Sequence, residues 1–474
     1  MTVLADTLLD RVSEIIPRYN MLSACERVGV AVSGGADSVV LLHMFHRLAA
    51  QFQIHPVILH VNHHLREEAD EDEDFVRSLA ESLGLPIFVE HAPVESGNTE
   101  QEARNARRRF FLDSIQDHRT ADRVALGHTR TDQAETVLFR LIRGSGIAGL
   151  AGMRMKTEEG FIRPLLTSSR NEVRQWAETE GIAWREDSSN TDLKFARNRL
   201  RNQIMPALAT HFNPNLERVL AGTADLAAAE EDYWLQTIEP IYAEIAKRTH
   251  FGLVFATRPF GKLHQAVQRR VIRRALSDLR GDLRSLDMSH IDAIRGLCCS
   301  EEGHNRVLVP GVDALRSFDQ LLLTHPGSLS QEPRAYQRDL SFGHECELPY
   351  RAGVICVERM NPEDQICASF KKEHELLEVV DLDGRQIAVA DRPGFLAVRN
   401  WEPGDQMYRA GHQGAEKIKS LFQEYRVPLW QRRHWPVLVH RNEIIWVRQF
   451  GCARDFKRSE DSKCIVRITF RPAE

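Results

Sequence analysis

The first 190 residues alternate between short apolar runs and longer amphipathic stretches. That alternation constrains the fold more than any other feature of the 474-residue chain. The runs RVGVAV (27–32), PVILHV (56–61), PIFVEH (86–91) and RVALGH (123–128) are rich in Val and Ile and bounded by turn residues, the pattern of buried strands. Between them lie helical patterns. DSVVLLHMFHRLAA follows the first run, REEADEDEDFVRSLAESLG the second and TEQEARNARRRFFLDSIQDH the third. AETVLFRLIRG follows the fourth, with Ala134, Val137, Leu138, Leu141 and Ile142 on one face and Gly144 placed as a C-cap. Strand–helix alternation at this spacing predicts a parallel sheet covered by helices on both faces, doubly wound through right-handed crossovers. A ligand in such a sheet sits outside the carboxyl ends of the strands.

Beyond residue 212 the character changes. The segment 213–335 is dominated by helical stretches such as PNLERVLAGTADLAAAEEDYWLQTIEPIYAEIAKR and LHQAVQRRVIRRALSDLR, and reads as a helical domain. The segment 336–474 carries the strand-like runs GFLAVRNW, PVLVH, EIIWVRQF and CIVRITF, and reads as a small mixed or β-rich domain. Three domains, 1–212, 213–335 and 336–474, suit the length at about 100–200 residues per domain. The N-terminal MTVLADTLLDRVSEIIPRYN reads as an amphipathic helix, since it lacks the basic start and apolar core of a signal peptide. No apolar run approaches the roughly 20 residues of a membrane-spanning helix, so no membrane partner is expected. The eight cysteines form no C-x-x-C pair, which argues against zinc and iron–sulfur sites and for free thiols in the cytoplasm.

The polar residues gather where the sheet places a ligand. After the first run comes Ser33-Gly34-Gly35-Ala36-Asp37-Ser38. Two glycines let the backbone turn tightly and approach a ligand, and the next helix points its amide N–H groups at the loop. Together they make an anion site suited to phosphate. It is not a Walker A loop, which needs a following Gly-Lys-Ser/Thr. The blander reading is a glycine turn in which Asp37 or Ser38 caps the helix. VNHHLR follows the second run, a Gly/Asn-containing loop leading to EARNARR the third, and GHTRTDQAET the fourth. Asp132 and Glu135 lie three apart before an apolar helix, a spacing that fits a capping box as well as a site. Four strand ends with polar or charged residues in one sheet exceed what capping requires.

The net charge of -5 argues against indiscriminate nucleic-acid binding, but the distribution is uneven. From Arg399 to Arg458 the chain has 12 Lys+Arg against 6 Asp+Glu, with Trp401, Tyr408, Tyr425, Trp430 and Trp435 among them. A localised surface for a polyanion fits that composition, and so does a solvated face that is simply basic; the aromatics suit stacking on bases, or a core for most of the five.

The Ser33–Ser38 string resembles the PP-loop of the ATP pyrophosphatases, which split ATP into AMP and pyrophosphate. HVNHHLR, GHTRTDQAETVLFRLIRGSGIAGLAGM, IRPLL (162–166), WREDSSNTDLKFARNRLRNQIMPAL (184–208) and the basic C-terminal segment resemble the tRNA(Ile)-lysidine synthetases. The resemblance implies ATP, Mg2+, L-lysine and an isoleucine tRNA with a CAU anticodon, and leaves monomer and homodimer both open. It implies that Ser33, Gly34, Gly35, Ala36, Asp37 and Ser38 hold the ATP phosphates. Asp37 and Asp132 would serve magnesium, and Arg104 or Arg107 the α-phosphate. His128, Asp132 and Glu135 would bind or deprotonate lysine. Lys194, Arg197, Arg199 and Arg201 would contact RNA phosphates. Two positions depart from the family pattern: Thr131 stands where an Asp is usual, and Arg108 where a Tyr is usual. A related tRNA thiolase would need clustered cysteines, an amidotransferase-coupled synthetase a glutaminase nucleophile motif, and an RNA-binding protein with an inactive nucleotide domain would have no need of an intact SGGADS.

Overall fold

The computed structural model describes residues 3–64, 68–92, 99–116, 120–186, 193–300, 303–330, 335–360, 377–385, 387 and 395–473. Arg66, the loop 93–98 and the segment 187–192 of the quoted motifs lie outside the described residues. The chain divides into two compact units, Met1–Leu235 and Gln236–Glu474.

The first unit is the expected doubly wound sheet. In chain order its elements are α1 (Val3–Arg18), β1 (Arg27–Ala31), α2 (Ala36–Phe52), β2 (His55–Asn62), α3 (Glu68–Leu83), β3 (Ile87–His91), α4 (Thr99–Gln116), β4 (Arg123–Ala125), α5 (Arg130–Ile142), α6 (Ile147–Leu150), β5 (Phe161–Ile162), α7 (Arg170–Thr179), α8 (Ala196–Arg199), α9 (Met205–His211) and the start of α10 (Leu216–Ile245), whose last residues belong to the second unit. A π turn, Leu200–Ile204, joins α8 to α9. All strand pairs are parallel and the order is β3-β2-β1-β4-β5. The fifth strand is two residues long and carried no signal in the sequence. One face packs Val28 and Val30 of β1 against Val39, Leu42 and Phe45 of α2 and Val173 and Trp176 of α7. The other face packs Leu59 and Val124 with Phe111 of α4. Burying both faces is why these strands read as continuous apolar runs. The order reverses between β1 and β4, so their carboxyl ends open a crevice.

In the second unit the expected helix LHQAVQRRVIRRALSDLR is α12 (Gln265–Arg280); α11 (Thr257–Gly261) before it and α13 (Met288–Cys299) after it were not marked in the sequence, and the end of the first expected helical stretch, residues 246–248, is strand. Beside them lies a five-stranded antiparallel sheet that the sequence reading did not mark, made of strands Ala246–Thr249, Gly252–Ala256, His304–Val309, Val312–Ser317 and Gln320–Thr324. The C-terminal part is β-rich as expected. GFLAVRNW, PVLVH and EIIWVRQF supply strands Leu396–Asn400, Pro436–His440 and Glu443–Val447 of one antiparallel sheet, and CIVRITF supplies Ile465–Arg471 of a second. Val398, Leu438 and Trp446 from the first sheet share a core with Ile355, Val466 and Ile468 from the second. Of the C-terminal aromatics, Trp435 and Trp430 are buried and Trp401 packs on Phe422, while Tyr408 and Tyr425 are exposed. No helix among the described residues is long and apolar enough to cross a membrane.

Candidate active site at the carboxyl ends of β1 and β4

The loop after β1 is built to leave a helix start open. Gly34 sits at φ 89, a left-handed conformation that a Cβ would strain. Gly35 is the N-cap of α2 and supplies no side chain to cap it. Ser38 closes the loop instead: its Oγ donates to the Gly35 carbonyl at 2.9 Å and accepts from the Ser33 amide at 3.1 Å. The Arg185 amide donates to the Gly34 carbonyl at 3.0 Å and fixes the loop from outside. Neither Asp37 nor Ser38 caps the helix from the N-cap position, so the positive end of a 17-residue helix faces the crevice. Gly127, leaving β4, passes so close that a Cβ on it would lie 3.0 Å from the Asp37 carbonyl carbon and oxygen.

Asp132 and Glu135 rise from α5 beside this loop. Thr129 and Asp132 form a capping box, with Asp132 Oδ2 accepting from the Thr129 amide at 2.9 Å. The capping and site readings of Asp132 therefore coexist, because its other oxygen faces the crevice. That oxygen accepts from Arg170 Nη2 at 2.9 Å and from Arg201 Nη2 at 3.2 Å. Arg170 also donates its Nε–H to Asp37 Oδ2 at 3.2 Å. Glu135 is 1% exposed and receives Arg201 Nε at 2.6 Å and Arg197 Nε at 3.1 Å. Three guanidinium groups thus face three carboxylates. The π turn after α8 lets Arg197 and Arg201, four residues apart, reach the same pair of acids.

The environment drives the two aspartates apart. Burial raises the Asp37 carboxyl above its ordinary range, against the pull of Arg170 and with a push from Asp132. Burial also presses Asp132 upward, but Arg170, the Thr129 amide and Arg197 overcome it and hold this carboxyl at about 2. His128, between Gly127 and the capping box, is pushed down to about 4, chiefly by burial. Its Nδ1 accepts the Nε–H of Arg163 at 3.3 Å. Arginine can only donate, so the neutral ring carries its proton on Nε2.

The remaining predicted residues sort as follows. Arg104 and Arg107 lie exposed on α4. The charge of Arg104 is felt by His128 and Arg163, and that of Arg107 by His60 and His63. Arg199 donates to the carbonyls of Leu193 and Lys194, both at 2.9 Å. Lys194 is exposed at the approach to α8. Thr131 is turned away from the acids: it accepts from the Arg170 amide and donates to Glu217, each at 3.1 Å. Arg108 pairs with Glu159 and stacks its guanidinium over Phe161 at 5.7 Å, docking α4 on the edge of the sheet. Sequence reasoning missed Arg170 and Arg163. Arg163 lies within the quoted IRPLL stretch and Arg170 four residues after it, and only the folded sheet brings them to His128 and Asp37.

Family models match the chain in three stretches: a PP-loop domain over residues 8–208, a TilS substrate binding domain over 256–323 and a TilS substrate C-terminal domain over 396–469. A tRNA(Ile)-lysidine synthase of Solibacter usitatus is 40% identical over 449 residues, covering 94% of this chain and 99% of the relative. The chain belongs to the tRNA(Ile)-lysidine synthase family. Relatives of the same name from Symbiobacterium thermophilum and Clostridioides difficile are 33% and 27% identical, each over 98% of this chain and 98% and 99% of their own. As a member of the tRNA(Ile)-lysidine synthase family the protein is an ATP-dependent ligase, and the crevice between β1 and β4 lies within its PP-loop domain.

Proposed function

We propose that the protein joins L-lysine to C2 of the wobble cytidine of an isoleucine tRNA with a CAU anticodon. ATP is consumed to AMP and pyrophosphate through an adenylated tRNA, and the product reads AUA instead of AUG. The observation that carries this reading is the meeting of the uncapped α2 start with the Asp37–Asp132–Glu135 cluster at the carboxyl ends of β1 and β4. Family membership supplies the substrates.

The chemistry needs two stages. The C2 oxygen of cytosine is a poor leaving group. It attacks the α-phosphorus of ATP, and pyrophosphate departs. The lysine amine then attacks C2 and AMP leaves with the oxygen. Ser33, Gly34, Gly35, Ala36, Asp37 and Ser38 hold the phosphates, where backbone N–H groups meet developing negative charge. Arg104 or Arg107 serves the α-phosphate. Magnesium takes one or two carboxylates together with phosphate oxygens, and Asp37 and Asp132 fit that donor set. Asp37 Oδ1 is buried with no hydrogen-bond partner among the described residues, and Arg170 sits between the two aspartates where a cation would. When bound, the ion neutralises phosphate charge.

Asp132 and Glu135 accept cations, as their three arginines attest, and a lysine ammonium competes for the same oxygens. An amine of pKa about 10.4 must lose a proton before it attacks. His128, neutral with its proton on Nε2, acts as a hydrogen-bond donor; Asp132, held at about 2, holds the ammonium rather than deprotonating it, and solvent takes the proton. Lys194, Arg197, Arg199 and Arg201 serve the tRNA. Each guanidinium has five N–H groups, more than the carboxylates occupy. Residues 1–212 form the catalytic part, 213–335 a helix-rich tRNA-contacting part and 336–474 a tRNA-recognition part, in a cytoplasmic enzyme.

Pyrophosphate release from ATP, with and without tRNA, tests the reading. Release that depends on added tRNA is expected. Release equally fast without it overturns the adenylated-tRNA route.

A further inference from the structure

An arginine-lined cavity shares Arg170 with the site and lies wholly within the first unit. Its volume is about 540 Å³, and it is lined by the first turns of α5, α7 and α10. Four arginines reach it: Arg130, Arg170, Arg174 and Arg218. Among the described residues the one acid in its lining, Glu217, pairs with Arg130 Nε at 2.8 Å. Arg130 is further held by the Thr167 carbonyl at 2.8 Å and by Glu172. Arg174 leans on the exposed Glu186 at 3.0 Å. Arg218 is exposed and has no ion-pair partner among the described residues. Asn171 and Asn215 add amide groups to the wall. The three helices, 13, 10 and 30 residues long, start at this space, each with an acid in its first turn: Asp132, Glu172 and Glu217. Arg130, Arg170 and Arg174 each already pair with carboxylates and, among the described residues, Arg218 does not; since each guanidinium has five N–H groups, four of them around a cavity of ligand size leave donors for an anion.

We propose that this cavity binds a phosphate group, at a site separate from the ATP loop, held by Arg174 and Arg218 at its rim and by Arg170 at its floor. Arg170 ties it to the chemistry. The same guanidinium contacts Asp37 and Asp132 on its other side. An anion here shares Arg170 with those carboxylates. Two sources carry the right chemistry: a backbone phosphate of the bound RNA, and released pyrophosphate. The RNA source rests on the proposed function; the pyrophosphate source needs only an ATP-splitting enzyme.

The test compares the full chain with Arg174→Ala/Arg218→Ala, at two exposed side chains outside the ATP loop and the acidic cluster. Binding of tRNA is measured across a series of salt concentrations. Binding of pyrophosphate and of ATP is measured by calorimetry without RNA. A drop of about tenfold in tRNA affinity, with the salt slope shallower by about 1–2, assigns the site to the RNA backbone. A similar drop in pyrophosphate affinity with tRNA binding intact assigns it to the product. A drop in both assigns it to both. The proposal is overturned if neither changes. It is also overturned if ATP affinity falls in step, because the arginines would then belong to the nucleotide site. Arg218→Ala alone serves if the double variant melts early. Failure of the unsubstituted chain to form lysidine would sink the proposed function and leave the pyrophosphate arm standing.

Discussion

Arg163 donates its Nε–H to Nδ1 of His128 across 3.3 Å, and this one contact fixes the tautomer of the histidine nearest the acidic cluster. Burial lowers His128 to about 4 and, first among its causes, lowers Arg163 to about 10. The pair therefore carries a single positive charge, on the arginine, at neutral pH.

A pH dependence of stability follows. The folded His128 titrates at about 4, against an ordinary 6.5 in the unfolded chain. Between those values the unfolded chain binds the extra proton, so stability falls as pH drops through this window. The side chain is only partly exposed. The loss is about 2 kcal/mol between pH 7 and pH 5. His128→Gln keeps an acceptor for Arg163 and removes the titration. Denaturant unfolding of the full chain at both pH values should show that much less pH dependence in the variant.

Arg170→Gln removes the cation shared by Asp37, Asp132 and Glu135. Asp132 and Glu135 keep Arg197 and Arg201, but Asp37 has no replacement partner among its contacts in the cluster. A loss of about 3 kcal/mol is expected at pH 7. It should shrink on acidification, because Asp37 then protonates more readily than in the parent. Chemical denaturation at two pH values reads both effects.

Gly127→Ala places a methyl group 3.0 Å from backbone atoms of Asp37 and 3.1 Å from the Ser38 amide nitrogen. Backbone cannot swing aside as a side-chain tip can, so the Ser33–Ser38 loop must shift. A destabilisation of about 1–3 kcal/mol is expected, together with weaker ATP binding. Calorimetric titration of ATP distinguishes this from a variant that is only less stable.

How much of this was legible in the sequence depends on how each signal is written. The parallel sheet was, because a strand buried on both faces is an unbroken apolar run and each is followed by an amphipathic helix. The Ser33–Ser38 loop was legible for the same local reason. The antiparallel sheet of the second unit was not read, although its turns are written plainly. Pro310-Gly311 joins His304–Val309 to Val312–Ser317, and Phe318-Asp319 joins the latter to Gln320–Thr324. Gly311 and Phe318 both take positive φ there. The long helices around these short strands dominated the composition. Arg170 was out of reach for a different reason: 133 residues separate it from Asp37, and no periodicity marks a contact made only by the closing of the sheet.

Asp37→Asn keeps the shape of the side chain and removes its charge. Pyrophosphate release should fall by about a hundredfold or more, while tRNA affinity, set elsewhere, stays close to the parent value. A filter-binding assay beside the pyrophosphate assay separates the two. A variant turning over near the parent rate would remove Asp37 from the machinery.

The most direct measurement is the mass of nucleosides from a CAU-anticodon isoleucine tRNA incubated with the protein, ATP and L-lysine. The expected result is one cytidine, at the wobble position, heavier by lysine less one water, and only when all three substrates are present. An unchanged cytidine, or a change that forms without lysine, would contradict the account.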